Sequence, residues 1–143
     1  MGKSIFRGFL GIFVFLYRLS GGRFGGSMQG LSVLMLTTTG AKTGQKRTVP
    51  LGYFETDGHP VIIGSNAGAD THPGWYFNLK RNPRATVEIG NNRSDVSAQI
   101  AAPDRRDQLW ARLVELSPAY GNYAKKTSRV IPMVELLPVK SPA

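Results

Sequence analysis

The amino-acid sequence predicts an α+β domain built on an antiparallel β-barrel. Three observations carry that expectation. Six short apolar or alternating runs lie between residues 31 and 139, most of them joined by hairpin-type turns. Helical patterns are confined to the ends and to one insertion. Strands and helices do not alternate, which argues against a doubly wound α/β sheet. At 143 residues, with 41% hydrophobic and 19% charged residues, the chain has the size and composition of one globular domain.

The first element is a helix over residues 1–22, MGKSIFRGFLGIFVFLYRLSGG. Its apolar run from Gly8 to Tyr17 is about half the roughly 20 residues that span a bilayer. At about 100° per residue, Lys3, Arg7 and Arg18 share one sector with Gly11 and Val14, and Phe6, Phe9, Leu10, Phe13, Phe15, Leu16 and Tyr17 fill the rest. Such an amphipathic helix lies on an anionic membrane surface, docks on the domain or a second subunit, or forms the centre of a signal peptide. The Gly-rich run Gly21–Gly30 follows as a flexible connector. Residues 1–30 are thus set apart from a barrel domain at residues 31–143.

Leu31–Thr37 is a nearly continuous apolar run, as expected of a buried strand. Arg47–Glu55 is a second strand, in which Pro50 requires an edge or a bulge. Asp57-Gly58 is a hairpin turn leading to the returning strand Pro60–Ser65. After the Gly-rich loop Asn66–Pro73 comes a short helix, Gly74–Arg81, stopped by Asn82-Pro83. Ala85–Ile89 and Asp95–Ala101 alternate as a hairpin through Gly90-Asn91-Asn92. Pro103 opens an amphipathic helix with Leu109, Trp110, Leu113, Val114 and Leu116 on its apolar side, and Asp104 complements its dipole. A polar, tyrosine-bearing connection, Pro118–Lys126, leads to the last strand, Val130–Val139.

Eighteen Lys and Arg against nine Asp and Glu give a net charge of +9, which favours an anionic partner. The basic residues are scattered and form no nucleic-acid reader module. The absence of cysteine removes disulfides, thiol redox chemistry and thiolate metal sites, and His59 and His72 are too isolated to predict a metal site. Redox chemistry in this chain requires an organic cofactor.

Chemistry-bearing residues fall in three places. Thr37–Arg47, TTTGAKTGQKR, lacks the spacing of a nucleotide-triphosphate loop, yet its glycines, threonines, Lys42, Lys46 and Arg47 suit an anion held at close range. The alternative is a solvated hairpin. In His72–Leu79 a loop runs into an aromatic helix whose first amides could face a carbonyl or carboxylate while Trp75 or Tyr76 covers a ring. By residue type alone, Phe77 and Leu79 read as core. Tyr120 and Tyr123, three apart, share a helix face and can donate hydrogen bonds or flank a flat ring, or else simply cap the barrel.

The strings LMLTTTGAKTGQKRTVPLGYF, SNAGADTHPGWYFNLKRNPRATVEIG and YGNYAKKTSRVIPMVEL, in that order and spacing, resemble the deazaflavin (coenzyme F-420)-dependent nitroreductase and quinone reductase family, over about Leu31 to Val139. The resemblance implies a split β-barrel of the FMN-binding type. It also implies an enzyme that passes a hydride from reduced coenzyme F-420, an 8-hydroxy-5-deazaflavin, to a flat electron-poor acceptor: a quinone, nitroaromatic or enone. FMN is the alternative cofactor, and a non-catalytic F-420-binding module the alternative function. Lys42 and Arg47 resemble the residues that grip the cofactor's phosphate and acidic tail. Pro50, Leu51 and Gly52 match the strand beneath the ring, and Ile63, Gly64, Ser65 and Asn66 match the strand end opposite. Gly74, Trp75, Tyr76 and Asn78 match the helix start that closes on the cofactor. The same strings add Gly40, Ala41, Thr48, Val49 and Phe77 to the cofactor-contacting set. Tyr123, which also contacts the cofactor, orients the substrate, with Tyr120 and Ser65 assisting. The N-terminal helix matches that of membrane-associated, quinone-reducing members, implying a cytoplasmic protein peripheral to the inner face of the membrane. Gly52 and Ser117 stand where tyrosines are expected, which argues against activity on nitroimidazoles, and Asn66 stands where a lysine is usual.

Overall fold

The computed structural model describes residues 2–23, 27–28 and 30–139, with side chains for residues 10–23 and 30–139. Helix α1 (Gly2–Leu19) and the short strand β1 (Ser27–Met28) precede β2 (Leu31–Thr39), β3 (Lys46–Thr56) and β4 (His59–Ile63). A single 3-10 turn, Asn66–Gly68, leads to α2 (Gly74–Arg81) and the hairpin β5 (Arg84–Ile89) and β6 (Asn92–Ile100). Helices α3 (Pro103–Leu116) and α4 (Ala119–Lys126) precede the last strand, β7 (Met133–Pro138). The strands neighbour one another in the order β1-β2-β3-β4-β7-β6-β5, and β5 returns to pair with β2. Strands β2–β7 therefore close an antiparallel barrel, as the strand count and turn chemistry predict.

The closure is uneven. Strand β3 pairs with β2 from Lys46 to Tyr53, but with β4 only from Tyr53 to Thr56. From residue 46 to 52 its far side has no neighbouring strand among the described residues, and this is the split. Pro50, with no N–H to give a second ladder, sits in that half. The β3–β4 turn is the expected hairpin, with Asp57 and Gly58 at φ 52° and 82°.

Strand β2 is apolar on both faces because both are covered. Leu34 and Leu36 point into the barrel with Ile62, Val87, Val96, Val134 and Leu136, and α2 closes that core with Trp75 and Leu79. Val33 and Met35, on the outer face, meet Val14 and Tyr17 of α1. A third cluster joins α3 and α4 to the sheet through Phe54, Val61, Leu109, Leu113 and Met133.

The N-terminal helix is thus docked on the barrel. The buried Tyr17 phenol donates to the Val33 carbonyl at 3.1 Å and accepts from the Gly90 amide at 2.9 Å. Arg18 grips Glu88 with Nε and Nη2 at 2.8 and 2.7 Å. Val14 and Arg18, which belong to the basic sector of the helix, face the protein, Ile12 and Leu19 on the other side are exposed, and Phe15 is exposed between the two. The side chains of Lys3, Phe6, Arg7 and Phe9 lie outside the described residues. Among those residues, no helix is long and apolar enough to cross a membrane.

Four local expectations change. Ser27–Met28, inside the proposed flexible connector, pairs with β2, while the connector's residues 24–26 and 29 lie outside the described set. Pro118–Lys126 contains helix α4 rather than an irregular connection. The β5–β6 loop is two residues, since Asn92 pairs with Ile89. Strand β7 begins at Met133, directly after Pro132, which has no N–H for a ladder.

Candidate functional site

A groove of about 1240 Å³ opens along the split. Its floor is the unpaired half of β3, where Thr48, Val49, Pro50, Leu51 and Gly52 all line it. One wall is the β2–β3 loop with Gly40, Ala41, Lys42, Thr43, Lys46 and Arg47. A second comes from Ile63, Ser65, Asn66 and Ala67 and from His72 through the start of α2, with Gly74, Trp75, Phe77 and Asn78. Leu10, Gly11, Val14, Phe15 and Arg18 of α1 supply a third, and Tyr120 of α4 completes the lining. A smaller pocket of about 270 Å³, lined in part by Leu31, Tyr53, Phe54 and Leu116, has Glu55 as its charged side chain.

The β2–β3 loop is held by its own backbone and by one asparagine. The Gly40 amide donates to the Gln45 carbonyl, and the Gly44 amide to the Gly40 carbonyl, both at 2.8 Å. A Cβ on Gly40 would stand 2.8 Å from Thr43 Oγ1, so this tight loop excludes any larger residue there. Asn78 reaches across from α2: its Oδ1 accepts from the Ala41 amide at 2.9 Å, and its Nδ2 donates to Thr38 Oγ1 at 3.0 Å. The amides of Gly40, Ala41 and Gly44 are thereby spent inside the protein, contrary to the expectation that the loop's glycines offer them to a ligand. Lys42, Lys46 and Arg47 remain exposed around the loop.

The charge of the lining is one-sided. Arg18, Lys42, Lys46 and Arg47 line the groove, and none of its lining residues is Asp or Glu. The partner of Arg18, Glu88, stands outside the lining, and the guanidinium beside it holds its carboxyl below the ordinary value. The rest of the lining includes apolar and aromatic residues, with Val49, Pro50, Leu51, Trp75 and Phe77. Phe77 is 49% exposed, so it is a groove residue and not the core residue its type predicts, whereas Leu79 is core.

Gly52 has a specific reason to be glycine. A Cβ there would lie 3.2 Å from the Tyr120 hydroxyl and 3.4 Å from Leu31 Cδ1. The phenol from α4 fills the space that a side chain on β3 would take. Burial, and secondarily Tyr123, raises the Tyr120 pKa, so this hydroxyl keeps its proton at neutral pH. Tyr123 does not line the groove; its ring stands edge-on to that of Tyr120 at 5.4 Å and 83°. Gly64 and Tyr76 also stand behind the lining. A Cβ on Gly64 would strike Pro132 Cγ at 2.6 Å, and Tyr76 packs on His72 with ring centroids 4.4 Å apart.

Ser65 lines the groove, and its carbonyl accepts from Arg129 Nη2 at 3.0 Å and from the Gly68 amide at 2.8 Å. Asn66 and Ala67 are left-handed, at φ 46° and 55°. Asparagine tolerates that conformation better than lysine does, which accounts for Asn66 at this position. Ser117 is buried at the end of α3, where its carbonyl accepts from the Tyr120 amide at 3.1 Å, away from the groove. The α1 residues, His72 and Lys46 also belong to the lining. Lys46 is one of the cations that the loop composition already names, whereas the docking of α1 is only one of three readings of an apolar helix and nothing in its spacing marks His72 as a groove residue.

This geometry can be set beside known proteins. The family model described as F420H(2)-dependent quinone reductase matches residues 10–138. An F420H(2)-dependent quinone reductase of Mycobacterium tuberculosis is 40% identical over 125 residues, 85% of this chain and 84% of that protein. Among solved structures, an F420-H2 dependent reductase (FDR-A) is similar with a TM-score of 0.66 and 39% identity, covering 73% of this chain and 92% of its own. The heme storage protein HutZ of Vibrio cholerae, at TM-score 0.57 and 16% identity over 76% of this chain and 82% of that one, shares the fold alone. The match of nearly the whole barrel to one family model, together with a relative this similar over most of both chains, makes this chain a member of the F420H(2)-dependent quinone reductase family.

Proposed function

We propose that this protein reduces quinones with a hydride from reduced coenzyme F-420, and that the cofactor lies in the split of the barrel. One observation carries the placement: the groove joins four cationic side chains, with no carboxylate among its lining residues, to an apolar floor and an aromatic wall. That donor set fits a flat ring with a polyanionic tail. When bound, reduced F-420 supplies the hydride. The chain supplies binding, orientation and exclusion of water.

Lys42, Lys46 and Arg47 hold the anionic tail, with the loop kept in shape by Asn78. Val49, Pro50, Leu51 and Gly52 carry the ring, and Trp75 and Phe77 cover it. Tyr120, protonated and next to Gly52, donates a hydrogen bond to the acceptor's oxygen, and Ser65 offers a second hydroxyl. Tyr123 acts through Tyr120, as a positioning residue. The single proton that accompanies the hydride to the quinone comes from water or from a phenol. The test is a fluorescence titration of the purified protein with F-420 and, separately, FMN, followed by F-420-dependent turnover of a naphthoquinone, a nitroaromatic and an enone. Tighter binding of F-420 and oxidation of the reduced cofactor by the naphthoquinone are expected. Tighter binding of FMN, or reduced F-420 that stays reduced with every acceptor, overturns the proposal.

Peripheral contact with an anionic membrane on the cytoplasmic side is supported by the exposed Ile12 and Leu19 on the outer side of α1. Replacing both with serine is expected to abolish liposome binding. Retention of that binding refutes the contact.

A further inference from the structure

His72 lines the groove two residues before α2 begins. Its Nδ1 stands 3.0 Å from Nη1 of Arg129. A guanidinium only donates, so Nδ1 is the acceptor and the neutral ring carries its proton on Nε2. Arg129 has little freedom to turn away, because its Nε donates to the Ala69 carbonyl at 2.9 Å and its Nη2 to the Ser65 carbonyl at 3.0 Å. The imidazole is flanked by Tyr76 and Phe77, with ring centroids 4.4 and 5.9 Å away. Among the described residues, Nε2 has no hydrogen-bond partner. The ring therefore presents a donor that the protein itself leaves unused, at the edge of a groove that receives a ligand.

From this geometry we infer that His72 donates a hydrogen bond from Nε2 to a carbonyl oxygen of the molecule in the groove, held in one neutral tautomer by Arg129. The inference rests on the reading of the groove given above. The carbonyl is that of the deazaflavin ring or that of the quinone. His72 keeps its proton throughout and transfers none. The charged neighbours act in one direction: burial first, then Arg129 from the segment after α4 and Lys80 from α2, hold the imidazole below its ordinary pKa. Tyr76 contributes a ring face, and Asp70 is a carboxylate that acts on Arg129. Holding the ring below its ordinary pKa widens the pH range over which this neutral donor is present.

Two measurements test this. The chain has two histidines, so imidazole 15N NMR of the ligand-free protein, assigned with H72Q, reads His72 directly. A neutral Nε2–H tautomer that takes up a proton only below the ordinary imidazole range is expected, and R129M should move that titration upward part of the way, since burial remains. An Nδ1–H tautomer, or ordinary titration in the unaltered protein, overturns the inference. The second measurement compares H72F with H72Q, which keeps an N–H donor, alongside their melting temperatures. A dissociation constant for F-420 about tenfold higher in H72F, largely restored in H72Q, assigns the cofactor carbonyl. A similar loss and rescue in kcat with a naphthoquinone, at unchanged F-420 affinity, assigns the quinone. H72F equal to the unaltered protein in both assays removes the role of His72 alone. Failure of the unaltered protein to bind F-420 removes the reading of the groove itself.

Discussion

Asn78 gives the most informative single perturbation, because leucine and aspartate separate its two roles. Leucine removes both hydrogen bonds to the far wall, at about 1 kcal/mol net each. It also leaves the Thr38 hydroxyl, on a residue only 1% exposed, without its asparagine partner. With about 1 kcal/mol for that group, N78L is expected to lose roughly 3 kcal/mol. For a chain of this size that corresponds to a melting temperature about 6–10 °C lower. Aspartate keeps an oxygen for the Ala41 amide and can accept from the Thr38 hydroxyl, so N78D should melt within about 4 °C of the unaltered protein. It nevertheless adds the first carboxylate to the lining. A charge about 8 Å from a phosphate, at an effective dielectric constant of about 40, costs on the order of 1 kcal/mol, or roughly fivefold in F-420 affinity. Calorimetry without cofactor and fluorescence titration with it read the two effects independently. If N78L melts within about 2 °C of the unaltered protein, the bridge does not hold the loop. If N78D binds F-420 undiminished, the one-sided charge of the groove does not govern binding.

Three further predictions follow from separate features. The double variant K42A/R47A should bind F-420 at least about tenfold more weakly at low salt and show a flatter salt dependence; parallel salt curves would contradict electrostatic capture of the tail. G64A should destabilise the barrel by about 1–3 kcal/mol, because its Cβ strikes the Pro132 ring, and an unchanged urea midpoint would show that β4 yields without cost. Glu88 is held below its ordinary pKa, mainly by its hydrogen bonds to Arg18, so its stabilising effect is complete above the ordinary carboxylate range and is lost as pH falls through the depressed value. E88Q should therefore be less stable than the unaltered protein at pH 7, with the gap closing toward pH 3, and a gap that is constant with pH refutes the linkage.

The barrel was legible in the sequence because each strand announces itself locally. Leu34 and Leu36 alternate with Val33 and Met35, Asp57-Gly58 names its own turn, and Pro50 marks the open half of β3. Helix α4 left only the three-residue spacing of Tyr120 and Tyr123 as a signal, because Tyr120 is its one buried residue and Gly121 interrupts an already short pattern. The charges of the groove, Lys42 and Arg47, and its rings could be read from residue type. The Ala41–Asn78 bridge could not, because it joins residues 37 positions apart and depends on how α2 sits against the β2–β3 loop. The N-terminal helix misled for a related reason. Its basic sector looked fit for lipid headgroups, but Arg18 there is committed to Glu88 and the apolar arc is what faces outward.

That orientation of α1 couples two events that otherwise look independent. Because the helix supplies one wall of the groove, any ligand that touches Phe15 or Arg18 binds more tightly when α1 is seated, and must in turn seat α1 more firmly. Filling the groove should lower the population of the unseated helix by the same factor by which unseating it weakens the ligand, and so slow proteolysis of the N-terminal segment. A lipid surface that drew the helix off the barrel would promote release of the cofactor, whereas one that engaged only its outward residues would leave retention unchanged.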